Sequence, residues 1–290
     1  MKLNGVFLPI ITPFINNTID FFSYKKLINY YIKKGITGII PNGTTGESPT
    51  INDNEFEELL DKTVEYNKSK VKIFYGVGGN NTQEVINKIK IVNKYKIDGI
   101  LSVCPYYNRP SQDGIYNHFL KISESTDLKI IVYNIPYRTG INIDNDTIFR
   151  LAELQNIIGI KDSCGDIKQT MDLIMNISDN FSVLTGEDIF YYLNLCLGGD
   201  GGILASAHLY IEKYISIFDL LRKNNYQSAL MEWKNLVNFI PILFEEPNPA
   251  PIKYLLKKQD FIKSDEVRLP LIKLTKKNKK KLSQIVIKNK

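Results

Sequence analysis

The sequence predicts an α/β protein built as a (β/α)8 TIM barrel with a C-terminal helical extension. Apolar, β-branched runs of strand length recur eight times as far as residue 207. The segments between these runs have helical length and mixed polarity. A strand followed by a helical crossover, repeated eight times, is typical of a parallel sheet buried on both faces. Closed on itself, such a sheet forms a barrel of about 250 residues.

In chain order, the eight runs are GVFLPIITP, GIIPNGTTGE, VKIFYGVGG, DGILSVCPYY, KIIVYNIPY, IIGIKDS, FSVLTGE and GGILASA. Helical segments are predicted between them, for example around 55–66, 82–95 and 166–177. An open doubly wound sheet is the alternative. It would carry a G-x-G-x-x-G motif after the first strand, and the sequence has none there.

The chain is predicted to divide into a barrel over 1–224 and a C-terminal helical extension over 225–290. Helical runs around 226–239 and 252–258 fall outside the eightfold pattern and are separated by EEPNPAP, whose prolines interrupt a helix. No flexible linker precedes them, so we expect the extension to pack on the barrel.

Composition excludes several classes of protein. No apolar stretch approaches the roughly 18–20 residues needed to span a bilayer, and the N-terminal run is interrupted by Pro9 and Pro13 and lacks a signal-peptide cleavage site. The three cysteines are widely spaced and the chain has only two histidines, which argues against a disulfide framework or a zinc site. We therefore expect a cytoplasmic protein with no metal and no membrane contact.

The net charge of +6 belongs to one terminal segment. The last twenty residues hold eight lysines and no acid, which leaves 29 basic and 31 acidic residues in the rest of the chain. Leu282, Ile285 and Val286 follow helical spacing, which favours a docked final helix with a solvated lysine face. Binding of an anionic polymer is the alternative. No aromatic residues alternate with these lysines, so we expect no nucleic-acid partner.

In a barrel of this kind the reactive groups lie at the carboxyl ends of the strands and on the loops that follow. The predicted strands end in GTTGES, PYYNRP, YNIPYRTG, KDS and TGED. Hydroxyls, phenols, an arginine and a lysine should therefore meet on one rim.

Lys161 ends an apolar run within IIGIKDSCGD. Burial disfavours the charged form of lysine and lowers its pKa, and a neutral amine can form a Schiff base with a ketone. The alternative is an ammonium that pairs with Asp162 or another carboxylate, and the strand pattern alone favours neither. Nearby Cys164 is interpreted as a packing residue, because no histidine motif accompanies it.

Tyr133 lies on the neighbouring predicted strand with apolar residues on both sides. A buried phenol needs a polar partner, and beside an imine-forming lysine it could transfer protons; a plain core tyrosine is the alternative. Thr44 and Thr45 lie in a glycine-flanked loop whose backbone N–H groups could bind a carboxylate, although a simple tight turn explains the pattern as well.

Five motifs together, GTTGE, PYYNRPSQDG, YNIPYRTG, GIKDSCGD and EPNPAPIK, resemble those of the 4-hydroxy-tetrahydrodipicolinate synthase family, long called dihydrodipicolinate synthase. The likeness runs in order over nearly the whole chain. The resemblance implies that pyruvate forms a Schiff base on Lys161 and then condenses with L-aspartate 4-semialdehyde, without a metal or a dissociable cofactor.

The resemblance also implies a role for each matching residue. Those implied for catalysis are Lys161, Tyr133, Thr44 and Tyr107. Those implied for substrate binding are Thr45, Arg138, Gly186 and Ile203. Tyr107 would reach into the site of an adjacent subunit, which would make a dimer the catalytic unit. The resemblance implies a homotetramer built as a dimer of dimers.

Arg138 separates this subfamily from its relatives. A guanidinium binds a carboxylate bidentately, and N-acetylneuraminate lyases, which resemble the chain elsewhere, usually lack an arginine at this place. The alternative for Arg138 is a surface salt bridge. For the protein, the alternatives are a sialic-acid lyase, a 2-keto-3-deoxy-sugar-acid aldolase or a non-catalytic binding barrel.

Some members of the family bind the end product lysine at the dimer interface. The residues that match such a site are Ser48, Asn80, Glu84 and Tyr106. Lysine-sensitive relatives carry histidines where this chain has Asp53 and Phe56. The two substitutions predict weak inhibition by lysine or none.

Overall fold

The structure is a computed structural model that describes residues 2–288, with side chains described as far as residue 284. Eight parallel strands close into a barrel, and each strand pairs with the strands that precede and follow it in the barrel. The predicted (β/α)8 fold is therefore confirmed. The strands are β1 (Gly5–Leu8), β2 (Phe14–Ile15), β3 (Thr18–Ile19), β4 (Gly38–Ile39), β5 (Lys72–Gly76), β6 (Gly99–Val103), β7 (Lys129–Asn134), β8 (Ile157–Asp162), β9 (Ser182–Thr185) and β10 (Gly201–Ile203), of which β2 and β3 form a separate hairpin.

Helices cover the outside of the barrel, and two short 3-10 helices, Ser48–Thr50 and Asp188–Phe190, follow β4 and β9. The helices are α1 (Phe21–Lys33), α2 (Asp53–Asn67), α3 (Thr82–Val92), α4 (Gln112–Glu124), α5 (Pro136–Thr139), α6 (Asn145–Ala152), α7 (Ile167–Asn176), α8 (Tyr191–Cys196), α9 (Ala207–Arg222), α10 (Tyr226–Val237), α11 (Ile240–Leu243), α12 (Ala250–Lys258) and α13 (Lys276–Lys288).

The barrel closes where its first strand meets its last. β1 pairs with β4 on one side and with β10 on the other, and Gly5 lies opposite Gly201 in this second ladder. A Cβ atom on Gly201 would lie 2.0 Å from the carbonyl oxygen of Gly5. Glycine at this position therefore permits the close approach that completes the sheet.

The hairpin β2–β3 is absent from the predicted pattern. Its two turn residues, Asn16 and Asn17, have φ angles of 51° and 60°, the left-handed conformation that a two-residue hairpin turn requires and that asparagine tolerates. The NN pair inside FINNTI therefore indicates a hairpin turn, which the search for eight strand-length runs does not detect. The hairpin lies on the rim where the C-terminal segment returns to the barrel.

The interior of the barrel is filled by large apolar side chains. This inner cluster consists of Leu3, Phe7, Ile40, Phe74, Leu101, Ile131, Tyr133, Ile135, Ile158, Leu184 and Ile203. Packed layers of this kind make the barrel a solid core rather than a pore. Polar side chains at the upper end of the cluster are therefore held on a rigid base.

The helices of the extension pack on α8 and α9, the helices that precede and follow the last barrel strand. Helix α10 contacts α8 and α9, and α12 contacts α9 and α13. Pro251 lies in the first turn of α12, where proline is tolerated because its missing N–H would have had no helical partner.

Helix α13 carries part of the lysine-rich terminus. Leu282 is fully buried, while Ile285 and Val286, named with it in the sequence, lie beyond the residues whose side chains are described. Lys281 pairs with Glu245 at 2.7 Å. Over the described part of the chain, no helix has the length and hydropathy needed to cross a membrane.

Candidate active site

A cavity of about 790 Å³ opens at the carboxyl ends of the strands. The predicted site residues that line it are Thr44, Thr45, Tyr133, Arg138, Lys161, Gly186 and Ile203. Six different segments of the chain contribute these residues, and each is a strand end or a segment that follows one closely. The cavity lies where catalytic groups of a (β/α)8 barrel are found.

Lys161 is buried at this cavity without a carboxylate partner. Its side chain is 6% exposed, and no ion pair within the described residues includes it. Burial lowers the pKa of Lys161 to about 8, an effect that the charge of Asp188 partly opposes. A substantial fraction of the amine is therefore neutral near physiological pH, in contrast to an ordinary lysine.

The alternative pairing with Asp162 does not occur. The Asp162 carboxylate accepts hydrogen bonds from the Thr170 hydroxyl at 2.6 Å and from the Cys164 N–H at 3.1 Å. Burial raises the pKa of Asp162, and these donors oppose that shift. Cys164 itself contacts Asp162 and Thr170, and burial raises its thiol pKa to about 12. This pKa supports packing rather than nucleophilic attack as its role.

Tyr133 is the direct neighbour of Lys161. The two residues are partners in the β7–β8 ladder, and the Lys161 Nζ lies 4.0 Å from the centre of the Tyr133 ring. Burial raises the pKa of Tyr133 well above its usual value, and the Arg138 charge opposes this shift. The phenol thus remains protonated and can donate a proton at the cavity floor.

The loop that carries the two threonines is folded onto itself and onto the C-terminal segment. The N–H of Glu47 donates to the carbonyl of Thr44 at 3.1 Å, and the amide of Asn248 donates to the Thr45 hydroxyl oxygen at 2.9 Å. Thr45 is buried and Thr44 half-buried. Because the Thr45 oxygen already accepts from Asn248, its own proton is free to be donated into the cavity.

Arg138 lies on the short helix α5 at the mouth of the cavity. Its guanidinium is 5.3 Å from the centre of the Tyr137 ring, and none of the ion pairs in the described chain involves it. The alternative of a surface salt bridge is therefore not supported. A cation exposed at a cavity mouth and held against an aromatic ring is suited to binding an incoming carboxylate.

Several cavity residues were not identified from the sequence. Glu187, Glu245 and Glu246 line the mouth together with Asn248. Burial raises the pKa of Glu187 to about 7, with a further contribution from Asp188. The motifs TGED and EEPNPAP contain these acids, but only the fold brings both motifs to one cavity.

Tyr107 does not line this cavity. It is 89% exposed, with a φ angle of 74°, and its N–H donates to the carbonyl of Thr139 at 3.4 Å, next to Arg138. Its proposed entry into a neighbouring subunit therefore stays a prediction.

A second cavity of about 460 Å³ shares Thr44, Tyr133 and Arg138 with the first. Ser48 and Tyr106 line it, whereas Asn80 and Glu84 are exposed residues. Among the described residues, no group of three metal-ligating side chains comes together here or elsewhere.

The Dihydrodipicolinate synthetase family model matches residues 2–289. The chain is 57% identical over 286 residues to 4-hydroxy-tetrahydrodipicolinate synthase 2 of Clostridium acetobutylicum, which covers 99% of this chain and 100% of that protein. The chain belongs to the dihydrodipicolinate synthetase family. The crystal structure of dihydrodipicolinate synthase from Thermotoga maritima superposes with a TM-score of 0.96 at 36% identity, covering 99% of this chain and 98% of that one.

A monomeric dihydrodipicolinate synthase variant is equally similar in structure. It has a TM-score of 0.96 at 36% identity and covers 98% of this chain and 96% of that chain. Membership of the dihydrodipicolinate synthetase family therefore does not by itself determine the oligomeric state of this chain.

Within this family fold, Gly186 shapes the path of the lysine. Its N–H donates to the carbonyl of Asp162 at 2.7 Å. A Cβ atom on Gly186 would lie 2.2 Å from the Ser163 Oγ and 2.5 Å from the Lys161 Cε. The contribution of Gly186 is thus the absence of a side chain, which leaves room for the Lys161 stem.

Gly186→Ala should displace Lys161 from its position beside Tyr133. We expect the rate at which pyruvate and borohydride modify Lys161 to fall by about tenfold or more, because small displacements of reacting groups are costly. Mass spectrometry of the peptide that contains residue 161 measures this rate. Gly79→Ala, whose nearest atom would be at 3.3 Å, is the control and should react normally. Equal rates in all three proteins would contradict the steric argument.

Proposed function

We propose that this protein condenses pyruvate with L-aspartate 4-semialdehyde to give 4-hydroxy-tetrahydrodipicolinate, the first committed step of diaminopimelate and lysine biosynthesis. The observation that carries this proposal is a buried lysine with no carboxylate partner, set beside a buried tyrosine in a cavity at the strand ends. The similarity to named 4-hydroxy-tetrahydrodipicolinate synthases over the full chain supports the same conclusion.

The neutral Lys161 amine attacks the keto carbon of pyruvate, and water leaves to give an iminium. The iminium withdraws electrons, so the pyruvate methyl group loses a proton and the adduct becomes an enamine. The enamine carbon attacks the aldehyde carbon, and the aldehyde oxygen takes up a proton. The substrate's amine then displaces Lys161 from the former keto carbon, which closes the ring and releases the enzyme.

Tyr133 is proposed to donate and accept protons during these steps. Its phenol stays protonated because burial raises its pKa, and it lies against the reacting nitrogen. Thr44 and Tyr107 would complete the proton relay to solvent, with Tyr107 supplied by an adjacent subunit. We propose a homotetramer built as a dimer of dimers, with the dimer as the catalytic unit; the exposed side chain of Tyr107 is available to a partner subunit.

The carboxylate of pyruvate is proposed to bind at Thr45 and at backbone groups near Gly186 and Ile203. All three residues line the cavity that holds the lysine. The Thr45 hydroxyl oxygen accepts from the Asn248 amide, which leaves the hydroxyl proton available to donate to the carboxylate.

The charges at the cavity mouth match the second substrate. L-Aspartate 4-semialdehyde carries a carboxylate and an ammonium group near its aldehyde. Arg138 is proposed to take the carboxylate bidentately, and Glu187 faces the same cavity and can take the ammonium. An arginine without an ion-pair partner at this position favours an aldehyde substrate that carries its own carboxylate over the uncharged sugar aldehydes released by sialic-acid lyases and sugar-acid aldolases.

We also propose that the reaction takes place in the cytoplasm. The three cysteines are unpaired, in keeping with a reducing compartment, and both substrates are small molecules of central metabolism.

Trapping at Lys161 tests the mechanism. Pyruvate with cyanoborohydride should add one reduced pyruvyl group to Lys161, and Lys161→Ala should abolish the addition. With enough cyanoborohydride that attack by the amine limits the rate, the initial rate should rise about tenfold per pH unit below the Lys161 pKa of about 8 and level off above it, because only the neutral amine attacks.

Lys168→Ala, on the exposed face of α7, is the control and should be labelled like the unmodified protein. Labelling of another lysine with Lys161 untouched would contradict the mechanism. A rate that continues to rise beyond about pH 9 would indicate an ordinary lysine pKa instead.

Arg138→Ala should separate the two substrates. Removing a charged hydrogen-bond partner of a bound carboxylate costs about 2–5 kcal/mol, so condensation should collapse while pyruvate trapping stays largely intact. Arg150→Ala, which removes an exposed arginine paired with Asp113 on the outside of the barrel, should change neither. Undiminished condensation in Arg138→Ala, or efficient cleavage of sialic acid by the unmodified protein, would move the assignment to a sister subfamily.

Lysine should inhibit weakly or not at all. Phe56 cannot donate or accept a hydrogen bond. The Lys88 ammonium lies 5.6 Å from the centre of the Phe56 ring, and both residues line the second cavity. A hydrogen bond lost from a charged ligand costs about 1.5–3 kcal/mol, or roughly tenfold to a hundredfold in affinity, and a like charge adds to this loss. An initial-rate titration with L-lysine measures the effect, and half-inhibition at submillimolar lysine would refute the expectation.

A further inference from the structure

The C-terminal extension returns to the loop that carries the two threonines. We call residues 43–48 the threonine loop. Two residues from the segment after α11 reach it: Asn248 donates to the hydroxyl oxygen of Thr45 at 2.9 Å, and the Lys253 ammonium forms an ion pair with the Glu47 carboxylate. About two hundred residues of chain separate the partners in each pair, so both contacts exist only in the completed fold.

The Lys253–Glu47 pair is isolated from water. Both side chains are 0% exposed, and the Lys253 ammonium lies 4.1 Å from the centre of the Phe14 ring. Burial of two charges is costly unless each finds further partners. The ammonium also donates to the carbonyl of Glu266 at 2.9 Å, and the N–H of Arg268 donates to the second Glu47 oxygen at 3.0 Å.

The backbone at Glu47 requires such support. Its φ angle of 58° lies in the left-handed region, which is unfavourable for a residue with a side chain and persists only where surrounding contacts hold it. The N–H of Glu47 donates to the carbonyl of Thr44, and its own carbonyl accepts from the N–H of Thr50. The position of the Glu47 side chain is thus coupled directly to the backbone at Thr44.

We propose that Lys253, through Glu47, is a positioning residue that holds the threonine loop in the conformation that accepts pyruvate. Asn248 acts in the same direction, because its amide orients the Thr45 hydroxyl. Neither Lys253 nor Glu47 lines the cavity that holds Lys161. Both would act on this cavity through Thr44 and Thr45, which do line it. This inference rests on the proposed role of Thr45 in binding the pyruvate carboxylate.

The pyruvate concentration that gives half-maximal trapping at Lys161 tests the proposal without the aldehyde substrate. In Lys253→Met this concentration should rise by about tenfold to a hundredfold, because a loop displaced by a fraction of an ångström binds its ligand poorly. The maximal trapping rate, which reflects the amine of Lys161, should change much less. Lys257→Met removes a lysine from the same helix, one that pairs with Asp265 and is about half exposed, and should behave as the unmodified protein.

The double variant Glu47→Gln with Lys253→Met distinguishes a role of Lys253 in positioning the threonine loop from a role in stability alone. Removing both charges avoids an unpaired buried ion, so this variant should fold more stably than Lys253→Met alone. It should still need more pyruvate, because the Lys253–Glu47 ion pair is gone. If the folded double variant is half-saturated at the pyruvate concentration of the unmodified protein, the positioning role is refuted.

Asn248→Ala leaves the ion pair in place and tests the second contact between the extension and the threonine loop. It should raise the half-saturating pyruvate concentration by about threefold to tenfold, the loss expected for one hydrogen bond. An unchanged value in folded Asn248→Ala would refute the contribution of Asn248, whereas the contribution of Lys253 and Glu47 is decided by the double variant. Failure of the unmodified protein to trap pyruvate at all would instead contradict the proposed function, so the two failures are distinguishable.

Discussion

The organisation of the site depends on the burial of one lysine amine with no counter-charge in contact. An isolated ammonium in a protein interior is costly, and its pKa falls until the neutral form is accessible. The neighbouring carboxylate of Asp162 could have removed this effect by pairing with Lys161, but Thr170 and Cys164 hold it. Gly186 leaves space for the lysine stem, and Tyr133 presents its ring to the amine. Each of these residues keeps Lys161 buried, unpaired and next to a proton donor.

The barrel and most of the cavity residues can be predicted from short stretches of the sequence. Strand-length runs separated by helical crossovers predict the barrel, and the rule that reactive groups lie at strand ends identified Lys161, Tyr133, Arg138 and the threonines, all of which line one cavity. The hairpin β2–β3 was missed because its evidence, two asparagines in a left-handed turn, is not a strand pattern. The choice between an unpaired Lys161 and an ion pair with Asp162 also needed the structure, because the sequence does not show that Thr170 and Cys164 bind the Asp162 carboxylate.

What the sequence could not predict lies in contacts between distant segments. Glu47 and Lys253 are 206 residues apart, and nothing in GTTGES or NPAPIK separately indicates a buried pair. Lys88 follows an ordinary helical pattern on α3, and only the fold turns it toward Phe56 and the second cavity. The raised pKa of Glu187 could not be predicted either, because it arises from burial and from the charge of Asp188 at a cavity mouth formed by several loops.

The way in which the barrel closes also affects how the chain can fold during synthesis. β1 obtains its second partner only from β10, and the first strand therefore keeps one unpaired edge until residues 201–203 have been made. At about 5–20 residues per second, a ribosome takes roughly 10–40 s to reach that point. Lys253 and Asn248 emerge later still. The nascent chain thus passes through a long interval with an open sheet edge, and the contacts of the threonine loop with Asn248 and Lys253 are among the last to form.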